Sequence, residues 1–211
     1  MTLVDLTREI SPETQVFPAY PKVAVLLWAK HEVHGFRAEI LHMATHTATH
    51  LDAPFHFIED GQTVDQLPLE VFTGYAVAVD VRGEREVSRD LLRKRLDEAP
   101  YQAGDAVFLY TGWEHRYGSR EYLSENPGLS AEAAQLLVDV RAKLVGIDTP
   151  SLDPATSTTF PAHRILLKAG IPIIENLCNL SKMLQSRVKY YAFPLKIEGA
   201  TASPVRVVAE I

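Results

Sequence analysis

Six of the eight histidines fall between His31 and His56, and the densest part of that stretch reads His46-Thr47-Ala48-Thr49-His50-Leu51-Asp52-Ala53-Pro54-Phe55-His56. Imidazole nitrogens and carboxylate oxygens are the ligands that zinc and its neighbours among the divalent metals take. On a helix, His46 and His50 would share a face, but Asp52 would turn about 200° away from His50. On an extended segment all three have the same parity and point to one side. Thr45, Thr47 and Thr49 are β-branched, and Pro54 ends any regular element. The spacing therefore predicts an extended segment that runs into a turn at Pro54 and offers two imidazoles and a carboxylate to one point. Two nitrogens and an oxygen, with coordination positions left open, make a catalytic rather than a structural metal set. The bland alternative is a polar strand end with satisfied histidines. The even spacing, with His56 just beyond the turn, argues against it.

Other candidates are weaker. His31-Glu32-Val33-His34 is one residue short of the helical metalloprotease pattern, so its histidines do not stack one turn apart; it reads as a solvated loop. His42 has suitable parity but can simply face the sheet surface. No Gly-x-Ser-x-Gly nucleophile elbow or glycine-rich phosphate loop occurs. Cys178 is the single cysteine, which rules out an intrachain disulfide and a multi-thiolate zinc site, and it reads as a core residue. The net charge of −6, without a Lys/Arg cluster, argues against nucleic acid as a partner. No apolar run approaches the roughly 20 residues of a bilayer span. The first nine residues carry both charge signs and lack the basic start and apolar stretch of a signal peptide, so a cytoplasmic protein is expected.

These side chains need a scaffold. The chain has 211 residues, no repeat and no Gly/Ser linker, and reads as one domain over 1–211. Strands are expected at Val23–Trp28, Phe36–Met43, Tyr75–Val81, Ala106–Tyr110, Leu144–Ile147, Ile171–Ile174, Tyr190–Leu195 and Val205–Glu210. Helices are expected at Ser88–Glu98, Ser130–Ala142 and Pro161–Ala169, the second opened by a Ser cap and the third stopped by Gly170 and Pro172. Gly118–Ser130 and Asp148–Pro161 read as loops. Interleaved strands and helices make an α/β or α+β domain.

The segment from His46 to His56 resembles the core of the cyclase-like metal-dependent hydrolase family, which includes bacterial kynurenine formamidases and isatin hydrolases and reads roughly His-Thr-Gly-Thr-His-x-Asp-Ala-Pro-x-His. Further matches follow in order: Val4-Asp5-Leu6-Thr7 with Phe17-Pro18, Gly146-Ile147-Asp148-Thr149-Pro150-Ser151, His163, Glu175-Asn176-Leu177, Pro194-Leu195-Lys196-Ile197-Glu198-Gly199, and Ser203-Pro204-Val205-Arg206. The resemblance implies an α/β fold of the swivelling β/β/α type, with a mixed sheet flanked by helices. It implies that His46, His50 and Asp52 hold one divalent metal ion, zinc or manganese. It implies that Asp52, His163 and Glu175 hold a second, with Glu175 reaching both. Without the family, His163 reads as a helix-face histidine and Glu175 as a solvated residue after a strand. His56 would be the acid/base, and Phe17, with Tyr20, would hold an aromatic or similarly apolar small substrate. The implied reaction is arylformamidase-like hydrolysis of an amide, formamide, cyclic amide or lactone, by a homo-oligomer, commonly a dimer. The alternatives are a metal-dependent cyclase or dehydratase, and an inactive metal- or ligand-binding protein. The sequence departs from the pattern in two places: Ala48 stands where glycine is usual, and Phe17-Pro18-Ala19-Tyr20-Pro21 stands where formamidases tend to carry a Trp and an Asp.

Overall fold

A computed structural model describes residues 2–211. Its strands, in chain order, are β1 (Leu3–Asp5), β2 (Ala24–Ala29), β3 (Ala38–His42), β4 (His50–Asp52), β5 (Thr73–Asp80), β6 (Glu86–Val87), β7 (Ala106–Tyr110), β8 (Gly128–Leu129), β9 (Val145–Ile147), β10 (Ile173–Glu175), β11 (Arg187–Tyr191), β12 (Ala202–Pro204) and β13 (Val208–Glu210). The α-helices are α1 (His31–His34), α2 (Arg89–Glu98), α3 (Glu121–Ser124), α4 (Ala131–Asp139) and α5 (Pro161–Lys168). Nine strands form one mixed sheet in the order β1-β13-β11-β5-β7-β9-β10-β4-β12. Its centre, β5-β7-β9-β10, is parallel. Antiparallel strands flank that centre on both sides.

The central strands are apolar at nearly every position because both of their faces are covered. Ala76 and Ala78 of β5 and Phe108 of β7 enter one core cluster, while Val77, Val79, Val107 and Leu109 enter the opposite one. α2, α4 and α5 supply Leu92, Leu96, Leu136, Leu137, Leu166 and Leu167 to the second cluster. Gly146 in β9 has a specific reason: a Cβ there would lie 2.6 Å from atoms of both Leu177 and Phe108. The N-termini of α2 and α4 are held by their serines, with Leu91 N–H donating to Ser88 Oγ and Ala133 N–H to Ser130 Oγ.

The architecture is the expected α/β sheet with flanking helices, and the three long helices lie where the pattern placed them. Differences have local causes. The expected strand Val205–Glu210 is a strand only in its second half, β13; the preceding strand β12 ends at Pro204, before it, and lies elsewhere in the sheet. Between them, Val207 N–H donates to Thr7 Oγ1 and Thr7 O–H donates to the Val207 carbonyl, in place of continued pairing. The strand expected at Tyr190–Leu195 is displaced to β11, which stops before Pro194, a residue with no N–H to donate. The stretch Gly118–Ser130 is not wholly loop, since it contains α3 and β8. His31–His34 is a single helical turn rather than a loop, closed by Gly35 at φ 75°, although its side chains face solvent as expected. Cys178 is half-buried rather than a core residue. No helix among the described residues is long and apolar enough to cross a membrane.

Candidate metal centre

The site is assembled at the carboxyl ends of β9 and β10, where ligands gather in open α/β sheets. β4 carries His50 and Asp52, and β10 pairs with it so that Glu175 lies opposite His50. His163 comes from the first turn of α5, and His46 from the bends that precede β4. His46, His50 and Asp52 offer ligand atoms within 4.8 Å of one another, and so do Asp52, His163 and Glu175. Asp52 is shared. Its Oδ1 lies 2.7 Å from His46 Nδ1 and 3.4 Å from His50 Nε2, while its Oδ2 lies 3.7 Å from His163 Nε2. Glu175 also reaches both sides, with Oε2 3.6 Å from His50 Nε2 and Oε1 3.0 Å from His163 Nε2.

Each imidazole is steered through its other nitrogen. His46 Nε2 lies 3.0 Å from Thr201 Oγ1, His50 Nδ1 2.9 Å from the Ala48 carbonyl, and His163 Nδ1 2.5 Å from Asp153 Oδ2. That is the arrangement that fixes the tautomer and aim of metal-ligating histidines. Asp153 also accepts the backbone N–H groups of Ala162 and His163, so one carboxylate caps α5 and orients its histidine. Asp52 Oδ1 is buried and, although His46 Nδ1 lies 2.7 Å away, makes no well-directed hydrogen bond. A buried carboxylate oxygen is costly unless a cation or donor satisfies it, so the orphaned atom and the nitrogen–oxygen donor set both fit a divalent metal.

The charges respond to this crowding. Burial acts to lower His50, but the carboxylates of Asp52 and Glu175 outweigh it and push it up to about 9. Burial likewise opposes protonation of His163, yet hydrogen bonding to Asp153, Asp52 and Glu175 holds it well above the usual histidine range. Burial would raise Asp52, but His50 and His46 hold it well below the carboxylate range. His56 goes the other way. Burial, which the Asp52 charge only partly offsets, combines with the imidazoles of His46, His163 and His50 to bring it down to about 4. Its ring centroid lies 4.1 Å from that of His46, and the ring stands outside both triads.

Above the donors opens a pocket of about 180 Å³. Phe17, Tyr20, Phe57, Leu123, Pro150 and Phe160 form its apolar wall. Tyr20 stacks on His46 with ring centroids 5.5 Å apart and planes 3° from parallel. Phe17 meets Tyr20 at 6.5 Å and is 42% exposed, at the mouth rather than in the core. Gln15 also lines the pocket, but its amide is committed to the backbone of Gly118 and Ser119. Three lining residues, Ala48, Phe160 and Asn176, are non-glycine residues with left-handed backbones at φ 55°, 51° and 59°. Such strained positions persist where surrounding structure holds them, and they concentrate at functional sites.

His46, His50, Asp52, His56, His163, Glu175, Phe17 and Tyr20 thus line one pocket, while His31, His34, His42 and Cys178 lie outside it. The segment that carries His46, His50 and Asp52 is not extended throughout, however. It is a strand only from His50 to Asp52, and His46 is brought round by a turn through left-handed Ala48 rather than by parity. Asp153, Thr201, Phe57 and Phe160 were missed. Asp153 alone left a signal, as an acidic residue in the loop before the helix of His163. Thr201 meets His46 across 155 residues, and Phe57 and Phe160, though near His56 and His163 in sequence, meet each other only in the folded pocket.

An α/β sheet that brings three imidazoles and two carboxylates to the floor of an apolar pocket has the form of a metal-dependent enzyme. Residues 4–154 match the family model described as putative cyclase. The chain is 35% identical to the kynurenine formamidase of Salinibacter ruber over 210 residues, covering 99% of this chain and 97% of that one. It is 31% identical to the kynurenine formamidase of Bacillus cereus, covering 97% and 95%. Isatin hydrolase A from Labrenzia aggregata, solved bound to benzyl benzoate, superposes with a TM-score of 0.90 at 27% identity, covering 99% of this chain and 93% of that one. The chain belongs to the cyclase family.

Proposed function

We propose that this protein is a metal-dependent hydrolase that cleaves the carbon–nitrogen bond of an amide, formamide or cyclic amide in a small aromatic substrate. The observation that carries this is the convergence of both donor triads beneath one aromatic-walled pocket. The relatives named above act, by their names, on kynurenine-type and isatin-type compounds, and both carry an aromatic ring. His46, His50 and Asp52 hold one ion and Asp52, His163 and Glu175 a second, with zinc and manganese both suited to the ligands.

A divalent ion, when bound, supplies Lewis acidity and lowers the pKa of water from about 16 to about 7. The chain's own groups do the rest. Phe17 and Tyr20 flank the ring of the substrate and keep the carbonyl near the donors. His56, held at about 4, is neutral at pH 7 and accepts the proton released as water attacks the carbonyl carbon. It then delivers that proton to the nitrogen as the carbon–nitrogen bond breaks, which leaves a carboxylate or formate and an amine.

The working unit is the whole of 1–211, acting in the cytoplasm as a homo-oligomer, most simply a dimer. Exposed Trp28, Val33 and Phe36 on the hairpin of β2 and β3 support self-association. The test is turnover of N-formylkynurenine, isatin and simple lactones by zinc- and manganese-loaded protein, beside Asp52→Ala. Turnover of an aromatic amide by the wild type alone is the expected result. Full metal retention in Asp52→Ala would remove the site. Metal binding without turnover of any substrate would leave an inactive binding protein.

A further inference from the structure

We propose that Asn176, backed by Tyr122, is a positioning residue for the first metal set, because its side-chain amide holds the carbonyl that orients His50. The inference rests on the reading of His50 as a metal ligand. Asn176 Nδ2–H donates to the Ala48 carbonyl at 2.9 Å, and the same oxygen lies 2.9 Å from His50 Nδ1. A carbonyl has two lone pairs, so these two donors use it fully. With Nδ1 turned to that carbonyl, Nε2 is the nitrogen that faces Asp52 and Glu175, and it is the one that would give its lone pair to a bound metal. The Ala48 carbonyl therefore sets the tautomer of the histidine.

That carbonyl is not held in place by its own backbone. Ala48 has φ 55°, a left-handed conformation in which a Cβ is disfavoured, and the peptide would relax if released. Asn176 supplies the restraint from the neighbouring strand end in three ways. Its amide grips Ala48, its own carbonyl accepts Thr49 O–H at 2.7 Å, and its N–H donates to the Thr149 carbonyl at 2.8 Å. Asn176 is itself left-handed at φ 59°. Glycine would accept that backbone more readily but has no side-chain donor. Asparagine tolerates it and carries one. Tyr122, fully buried, donates its O–H to Asn176 Oδ1 at 2.8 Å, which fixes the amide so that Nδ2 faces Ala48. The chain of contacts runs Tyr122, Asn176, Ala48, His50, and neither of its first two members offers a ligand atom to either triad.

The test uses Asn176→Gly, which keeps the backbone and removes the donor, and Tyr122→Phe, which removes one hydroxyl. Zinc affinity is measured by competition with a chromogenic chelator. The Nδ1–H signal of His50 is followed by NMR in the zinc-loaded protein, and melting is followed in the metal-free protein. Asn176→Gly should bind the first zinc about 10- to 100-fold more weakly, the range for lost outer-shell partners, and should lose the protected Nδ1–H signal. Tyr122→Phe should show a smaller loss of affinity in the same direction, with metal-free melting lowered only as far as one lost buried hydrogen bond requires. If Asn176→Gly does not fold, Tyr122→Phe decides: an unchanged zinc affinity overturns the proposal. So does an Asn176→Gly protein that melts lower but keeps wild-type affinity and the signal, because its role is then structural alone. If His50→Ala binds zinc as the wild type does, the metal reading itself fails, and that outcome is separate from the others.

Discussion

Asp52 is the residue on which the two halves of the site depend, since one of its oxygens faces His46 and His50 and the other faces His163. His56 differs from the ligand histidines in having no carboxylate within ion-pair distance. His56→Ala should therefore keep its metal, as elemental analysis would show, while turnover falls by roughly 10² to 10⁴, the contribution of a general acid–base group. Loss of metal with the rate restored on reloading would make His56 a ligand. Phe17→Ala should reduce catalytic efficiency mainly for aromatic substrates, because the ring sits at the pocket mouth and only its specificity role is lost. An equal fall for substrates of every ring size, or a fall in stability only, would make Phe17 structural. His50 gives a pH signature. Its folded value of about 9 exceeds the ordinary 6.5, so its proton stabilises the metal-free fold fully below about 6.5, and that stability is lost as pH rises through about 9. Metal-free protein should melt lower at pH 9 than at pH 6.5. Loaded protein should not show the drop, because the metal replaces the proton. His46, His50 and Asp52 were legible because their types and even spacing already imply a shared ligand. His163 and Glu175 lie more than a hundred residues on and were reached only through the family resemblance.

At the scale of elements, periodicity carried the reading well where a segment is buried in a simple way. β7 was found at its full extent because all five of its residues are buried between the two core clusters. α2 and α4 were found through their helical pattern, and α4 also through its serine cap. The reading failed where long-range hydrogen bonds set the ends of strands, as at Thr7 and Val207, and at Ala48, whose left-handed turn no local signal announced. α5 shows how an element couples packing to the site. Ala162, Leu166 and Leu167 fix it against the sheet, and Asp153 holds its first turn while gripping His163. Asp153→Ala should act on both. Losing the cap costs about 1 kcal/mol. Freeing His163 should weaken the second ion by about 10- to 100-fold while the first is retained. Metal titration followed by elemental analysis separates the two sites. Equal loss of both ions would mean that the helix moves as a whole, and that Asp153 has no special hold on His163.

For the whole molecule, the least explained surface is the hairpin of β2 and β3, which forms a sheet of its own apart from the nine-stranded one. A two-stranded hairpin alone in water is marginal. This one is apolar on both sides. Val25 and Leu27 alternate with Leu26 and Trp28 along β2, while Ile40 and Leu41 on β3 and Val33 and Phe36 in the connection are also exposed. Trp28 is 70% exposed and Val33 73%. None of these side chains belongs to either core cluster. Together they are eight exposed apolar side chains gathered on one hairpin, and a contiguous apolar patch of that kind marks an interaction surface. A cover of that extent must recur on every molecule, and a second copy of the chain meets that condition with no other component. The double variant Leu26→Glu/Trp28→Glu places two charges on one face of β2, at the centre of the proposed contact. The wild type should sediment as a dimer at micromolar concentration and this variant as a monomer. Because the hairpin lies outside the core clusters, the monomer should keep its folded circular dichroism and should still bind metal. A wild type that sediments as a monomer, or a variant that still sediments as a dimer, would assign this apolar surface to something other than a second copy.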